Sequence, residues 1–211
     1  MSKAEFGDSG PVDAADARLK DVLRSEARAA IARLPNDERR QFDALIAAAI
    51  LASPGYQSAL QVLCYAALGD EVDLAGVMDA ALASGKRVFL PVTDVRGWTI
   101  SFHRWRGTRD LVRGAAGVDE PQQDAGPESL PSLVLVPGRL FTPHGARIGR
   151  GRGCYDGVLA DLGKLGPVVG VGYGCQVRAE LPQRVGDIRV DCVVTERGVI
   201  DPEGADVTSS S

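Results

Sequence analysis

The segment Gly149-Arg150-Gly151-Arg152-Gly153, with Arg147 just before it and Tyr155-Asp156 just after, has the residue types and spacing best suited to chemistry. Glycines at alternate positions let a backbone approach a ligand closely and turn its N–H groups inward, and the arginines between them supply fixed charge and forked donors. No acidic residue occurs from Ser129 through Tyr155, and Asp156 then ends the run. Cations closed by one carboxylate suit a polyphosphate carrying a divalent cation such as magnesium. The spacing is G-x-G-x-G, so it matches neither the dinucleotide fingerprint G-x-G-x-x-G nor a phosphate loop ending in Gly-Lys-Ser/Thr. A plain surface turn is the simpler alternative, opposed by the cost of crowding three arginines without an anion.

Other candidates are weaker when taken alone. Asp156 stands at a helix start, where a carboxylate can simply cap backbone N–H groups. Asp187 and Asp191 flank Ile-Arg-Val, and Asp191 interrupts an otherwise apolar strand-like run, so it is the stronger candidate for a second metal-binding carboxylate; a strand-end structural role fits it equally. Lys20 and Arg24 lie four apart and so share one helix face, which by default meets solvent. Glu71 opens Glu-Val-Asp-Leu before a helix pattern, where it can complement the helix dipole. His103 and His144 have no ligand spacing, and Cys64, Cys154, Cys175 and Cys192 form no C-x-x-C pair, so a zinc site or disulfide framework is not expected. There is no G-x-S-x-G elbow and no H-E-x-x-H. Chemistry built on positioning and charge stabilisation, as in phosphoryl transfer, fits this inventory.

The elements that must position these groups read as follows. Ala14–Leu34 and Asp37–Ala52 lack glycine and proline and are expected to be helices. Strands are expected at Ala59–Ala66, Arg87–Pro91, Leu133–Val136, Val168–Val171 and Ile188–Thr195, with Trp98–Arg104 as a hairpin partner. Helices are expected at Leu74–Ala83 and from about Asp156. Residues 107–130, rich in glycine, proline and glutamine, read as a long irregular connection. The alternation implies an α/β fold: a single layered domain with a central, mostly parallel sheet flanked by helices, spanning 14–201 between a loose leader (1–13) and tail (202–211). A chain of 211 residues with 45% hydrophobic content can bury one sizeable core. A net charge of −4 and a pI near 5.3 argue against nucleic-acid or anionic-membrane binding, so the basic loop serves a local site. With no signal-like or membrane-spanning run, a cytoplasmic location is expected, and a monomer.

Val136-Pro-Gly through Tyr155-Asp156 resembles the signature of the 5-formyltetrahydrofolate cyclo-ligase (5,10-methenyltetrahydrofolate synthetase) family, roughly P-G-x-x-F-D-x-x-G-x-R-L-G-x-G-x-G-x-Y-D. Lys20-x-x-Leu23-Arg24 resembles its K-x-x-L-R, Asp70-Glu71-Val72 its D-E-[VI], and Gly85-Lys86-Arg87 through Pro91 its G-K-x-[VI]-x-[LI]-P. Gly117-Val118-Asp119-Glu120-Pro121 is similar to its G-I-x-E-P, and Gly172–Gln176 with Asp187–Asp191 to its closing block. Thr142, Cys154 and Gly186 depart from the usual aspartate, aromatic and histidine. The resemblance implies ATP- and magnesium-dependent closure of 5-formyltetrahydrofolate to 5,10-methenyltetrahydrofolate with release of ADP and phosphate, with reduced folate and ATP as small-molecule partners. It implies ATP binding by Lys20, Arg24, Arg147 and Gly149 through Tyr155, with Cys154 inside that span. Arg150 and Arg152 would neutralise the transferring phosphoryl group, Glu71 and Tyr155 would contact the folate, and Asp156 with Asp191 would hold magnesium. A relative that binds folate or nucleotide without efficient catalysis is the first alternative. A sugar-phosphate isomerase or CoA-transferase-like enzyme on a similar scaffold is the second.

Overall fold

The computed structural model describes residues 11–107, 110–115, 117–122, 124–184 and 186–202. The leader expected over 1–13 and the tail over 202–211 lie largely outside these residues. The first helix, α1 (Pro11–Ala32), takes in the last three positions of that leader. A proline suits the start of a helix because its missing N–H has no intrahelical partner there. Helix α2 (Asn36–Ala52) carries Asp37 and Glu38 in its first turn, where they complement the helix dipole. It ends at Ser53-Pro54, and Ser53 Oγ accepts from Tyr56 N to open the short α3 (Pro54–Ser58).

The six expected strands, with a further edge strand at Gly198–Ile200 that the sequence did not predict, assemble into one seven-stranded sheet. In chain order its members are β1 (Gln61–Leu63), β2 (Arg87–Asp94), β3 (Thr99–Trp105), β6 (Ser132–Pro137), β9 (Val168–Val171), β10 (Cys192–Thr195) and β11 (Gly198–Ile200); their spatial order is β11-β10-β9-β6-β1-β2-β3. The five central strands are parallel, and β3 and β11 pair antiparallel at the edges. Helix α4 (Ala75–Ala83) joins β1 to β2, and α5 (Asp156–Leu162) follows the basic loop.

Apolar packing on both sheet faces explains the near-continuous hydrophobic strands. Along β6, Leu133 and Leu135 join the core formed with Ile46 and Ile50 of α2 and Val77 of α4, whereas Val134 and Val136 point to the opposite core with Leu159 and Leu162 of α5. The α/β architecture expected from the sequence is thus present.

Three boundaries differ. The first strand is only three residues long, because the chain turns out of the sheet at Tyr65 to wall a cleft. Ile188–Asp191 is not strand, since Val190 N donates to Gly145 O and holds this stretch against the segment after β6. Within 107–130, β4 (Leu111–Arg113) and β5 (Asp119–Pro121) form a small hairpin where an irregular connection was expected. Glu120 of β5 is buried and accepts from Thr93 N at 2.9 Å, tying the hairpin to β2.

Candidate active site

Strand order reverses between β1 and β6, since the chain runs outward from one to β2 and from the other to β9. In open α/β sheets the crevice beyond the carboxyl ends of such strands is where ligands bind. Here those ends feed Tyr65–Glu71 after β1 and Pro137–Asp156 after β6, and together with the β2–β3 hairpin and α1 they enclose a cavity of about 490 Å³. Six cationic side chains (Lys20, Arg24, Arg147, Arg150, Arg152, Arg184) and four carboxylates (Glu71, Glu120, Asp156, Asp187) line it. The excess of cations over carboxylates gives this cavity a local positive charge in a chain of net charge −4, the chemistry an anion-binding site needs.

A second small hairpin, β7 (Leu140–Phe141) with β8 (Arg147–Ile148), presents the basic loop. Leu140 and Ile148 pack against Leu23 and Ala27 of α1, with Leu181, and this contact sets the Lys20/Arg24 face over the loop. Arg24 Nε donates to Gly149 O at 2.9 Å, and Lys20 Nζ to Asp187 Oδ2 at 2.8 Å. Gly151 and Gly153 hold φ of +101° and +70°, a region where a side chain is strained, so the loop can turn its amides only with glycine there.

The turn between β7 and β8 is closed by Thr142, which is buried and whose Oγ1 accepts from Ala146 N at 3.0 Å. A threonine hydroxyl therefore supplies a local acceptor where the resembled pattern has a carboxylate. Thr142→Val, which removes that acceptor and strands a buried N–H, is expected to cost about 1–2 kcal/mol. A melting curve shifted down by about 4 °C would register the loss.

The arginines are held in different ways. Arg147 has a side chain only 4% exposed; its Nη2 donates to Asp156 Oδ1 at 2.6 Å and its guanidinium lies 5.7 Å from the centre of the Tyr155 ring. Arg150 Nε donates to Glu71 Oε1 at 2.8 Å and its Nη2 to Asp70 Oδ1 at 2.9 Å. Asp70 is also paired with the buried Arg139. Burial pushes the Asp70 carboxyl up, but the hydrogen bond and charge of Arg139, with the charge of Arg150, outweigh it and hold the group below the usual carboxylate range. Glu71 Oε2 accepts from Leu68 N, fixing its carboxylate at the cavity wall. Arg152 stacks over Trp98 with its guanidinium carbon 4.0 Å from the ring centre.

The cavity contains no activated nucleophile. Burial, then the charge of Glu71, pushes the Tyr155 phenol well up, and burial raises the Cys154 thiol. Both remain neutral at ordinary pH. The arrangement can bind and orient anions and neutralise developing charge, which is the kit that phosphoryl transfer needs.

Lys20, Arg24, Glu71, Arg147, Gly149–Gly153, Cys154, Tyr155 and Asp156 all line this one cavity, as the sequence led us to expect. Asp191 does not. Its Oδ2 accepts from Val168 N at 2.7 Å, capping the start of β9, and it is absent from the lining. Asp187, four residues earlier, lines the cavity in its place. Burial pushes its carboxyl up, but the hydrogen bonds from Lys20 and from Arg184 N, with the charges of both side chains, bring it below the usual range. Among the described residues no group of three or more His, Cys, Asp or Glu gathers to hold a metal alone. Asp156 and Asp187 fit magnesium only with phosphate oxygens and water as further ligands, which is its usual manner of binding. Tyr65 and Trp98 line the cavity, and Asp70 and Arg139 back it, without having been given a role from the sequence; Asp187 stands there as the weaker partner of Asp191, and Asp70 belongs to the D-E motif.

A model of the 5-formyltetrahydrofolate cyclo-ligase family matches residues 16–196. The chain is 27% identical over 180 residues to the 5-formyltetrahydrofolate cyclo-ligase of Escherichia coli K12, covering 82% of this chain and 96% of that protein. It is 30% identical over 151 residues to the 5-formyltetrahydrofolate cyclo-ligase of Mycolicibacterium smegmatis, covering 66% and 75%. The solved structure of Aquifex aeolicus 5,10-methenyltetrahydrofolate synthetase superposes with a TM-score of 0.76 at 30% identity, over 91% of this chain and 97% of that one.

Proposed function

The chain belongs to the 5-formyltetrahydrofolate cyclo-ligase family, and from that premise we propose that it converts 5-formyltetrahydrofolate to 5,10-methenyltetrahydrofolate with ATP and magnesium. The observation that carries the reading is the convergence of α1 (Lys20, Arg24), the Gly-Arg loop and Glu71 on one cavity. That single space has a cationic end for a triphosphate and a fixed carboxylate for a ring bearing N–H donors.

The formyl oxygen attacks the γ-phosphorus, ADP leaves, and the oxygen becomes part of a good leaving group. The substrate's N10 then attacks the activated carbon, loses its proton, and phosphate departs with its C–O bond broken. The enzyme needs no nucleophile of its own, in keeping with the neutral Tyr155 and Cys154. Lys20, Arg24 and the loop amides from Gly149 to Gly153 hold the phosphates; Arg150 and Arg152 neutralise the transferring group; Glu71 accepts from the pterin. The Arg147 side chain is buried and gives its Nη2 to Asp156 and its Nη1 to Pro137 O, so it orients that carboxylate rather than meeting phosphate directly. Magnesium held by Asp156 and Asp187 would supply further neutralisation of the phosphate charge.

Purified protein mixed with 5-formyltetrahydrofolate is expected to develop the methenyl-folate absorbance only when ATP and magnesium are both present. A flat trace under those conditions would overturn the reading, and a rise without ATP would exclude the phosphorylated intermediate. Among the described residues no helix is long and apolar enough to cross a membrane.

A further inference from the structure

We propose that Trp98 is a specificity-determining residue of the cleft, its indole face being the surface on which the flat ring system of the reduced folate stacks. This rests on the function proposed above and names a contact within it.

Among the described residues, Trp98 is the only non-glycine with positive φ, at +50°. A bulky residue in the left-handed region is strained, and glycine would occupy the position without penalty. The indole gains little core packing in exchange, for Trp98 belongs to none of the three buried apolar clusters and is not among the partly buried hydrophobics packed against them. Strain held without core burial, at the tip of a hairpin lining the cavity, points to a ligand as the partner that ring awaits.

The surroundings select the kind of ring. Ile100, Pro91, Val118 and Leu68 give the same cavity apolar surface, and Glu71 offers a carboxylate suited to the N–H edge of a pterin. The ring is presently covered by Arg152, whose guanidinium carbon stands 4.0 Å from its centre. An arginine drawn to phosphate leaves that face, so a nucleotide uncovers the indole and strengthens folate binding. Positive coupling between the two substrates follows, and by linkage it acts in both directions.

Two substitutions separate a stacking role from a backbone role. Trp98→Gly removes the ring and relieves the strained φ, whereas Trp98→Phe keeps an aromatic face and the strain. With a non-hydrolysable ATP analogue present, we expect Trp98→Gly to bind 5-formyltetrahydrofolate about tenfold more weakly by calorimetry, a magnitude typical of lost ring stacking. Trp98→Phe is expected to stay within about threefold of the parent. Tryptophan fluorescence gives an independent signal, since the other indole, Trp105, is buried in the core. Folate is expected to quench the parent and not Trp98→Phe. A non-hydrolysable ATP analogue is expected to tighten folate binding about fivefold in the parent and not in Trp98→Gly.

Folate binding by Trp98→Gly as tight as the parent's overturns the proposal while leaving the proposed reaction intact. Quenching of Trp98 by ADP, with folate affinity unchanged in Trp98→Gly, assigns the ring to adenine and also overturns it. A parent protein that binds no 5-formyltetrahydrofolate at all overturns this proposal and the proposed function together.

Discussion

Arg150→Ala is expected to lower kcat by about 10²–10³ while changing the affinity for ATP by less than about tenfold. The magnitude is that of removing one preorganised donor from a site where negative charge develops, and it lies at the lower end of what an arginine contributes to phosphoryl transfer. Geometry explains why the effect should fall on turnover. Arg150 sits between the Gly-Arg loop and Glu71, held by Glu71 Oε1 and by Asp70, which is itself anchored on buried Arg139. A guanidinium positioned from behind by two carboxylates is preorganised to meet phosphate oxygens. Lysine is expected to rescue poorly, because a point charge cannot donate to both carboxylates and still present a fork. Folding should survive: the side chain is 40% exposed, Glu71 keeps the Leu68 N–H, and Tm is expected to move by no more than about 2 °C. The check is initial rates of methenyl formation over a range of ATP concentrations, beside a melting curve. A variant turning over within threefold of the parent would reduce Arg150 to a structural tie between loop and wall.

That assignment was readable because the features behind it are local. Alternating Gly and Arg, the K-x-x-L-R face of α1 and the D-E pair each occupy a short window, and the fold brings the loop, Lys20, Arg24 and Glu71 to one cavity. The parallel core was legible for a similar reason: strands buried on both faces, such as Ser132–Pro137, have no polar alternation to confuse the reading. What stayed hidden depends on partners far away in sequence. The β4–β5 hairpin has strands of three residues, too short for a period-2 pattern, and its place is fixed by Glu120 reaching Thr93. Trp98 looked like one more aromatic in a hairpin, since nothing in its neighbours announces a φ of +50°. The expected strand over Ile188–Asp191 failed because Val190 gives its N–H to Gly145, a tertiary contact no window could contain. Just before this stretch Asp187 lines the cavity, whereas Asp191 within it, the carboxylate the sequence favoured, accepts from Val168 N. A charge interrupting an apolar run drew attention to Asp191, yet the run is interrupted because the strand starts after it.

The substitution pair Asp187→Ala and Asp191→Ala follows from that correction. Asp187→Ala is expected to lower activity by about 10²-fold or more and to raise the magnesium concentration needed for half-maximal rate. It removes a carboxylate from the cavity and frees Lys20, a residue only 8% exposed, from the partner 2.8 Å away that positions it. Cutting one side of a buried charge pair is costly because the other charge remains desolvated, although the 28% exposure of the Asp187 side chain softens the effect on folding. Because the folded-state pKa of Asp187 is lowered, the stability it contributes is present above the ordinary carboxylate range and lost as pH falls through the lowered value. Asp187→Ala should therefore flatten the acid limb of the stability curve. Asp191→Ala should do the reverse in kind. It deprives Val168 N of its acceptor at the start of β9, which costs about 1–3 kcal/mol and lowers Tm by about 4–8 °C, while turnover at a temperature where the variant is folded stays close to the parent's. Magnesium titrations of the two variants, run beside melting curves, separate the roles. Should Asp191→Ala shift the magnesium response and Asp187→Ala leave it alone, the metal would have to approach from the β9 side, and the cavity bounded by α1 and the Gly-Arg loop would no longer explain where the phosphates sit.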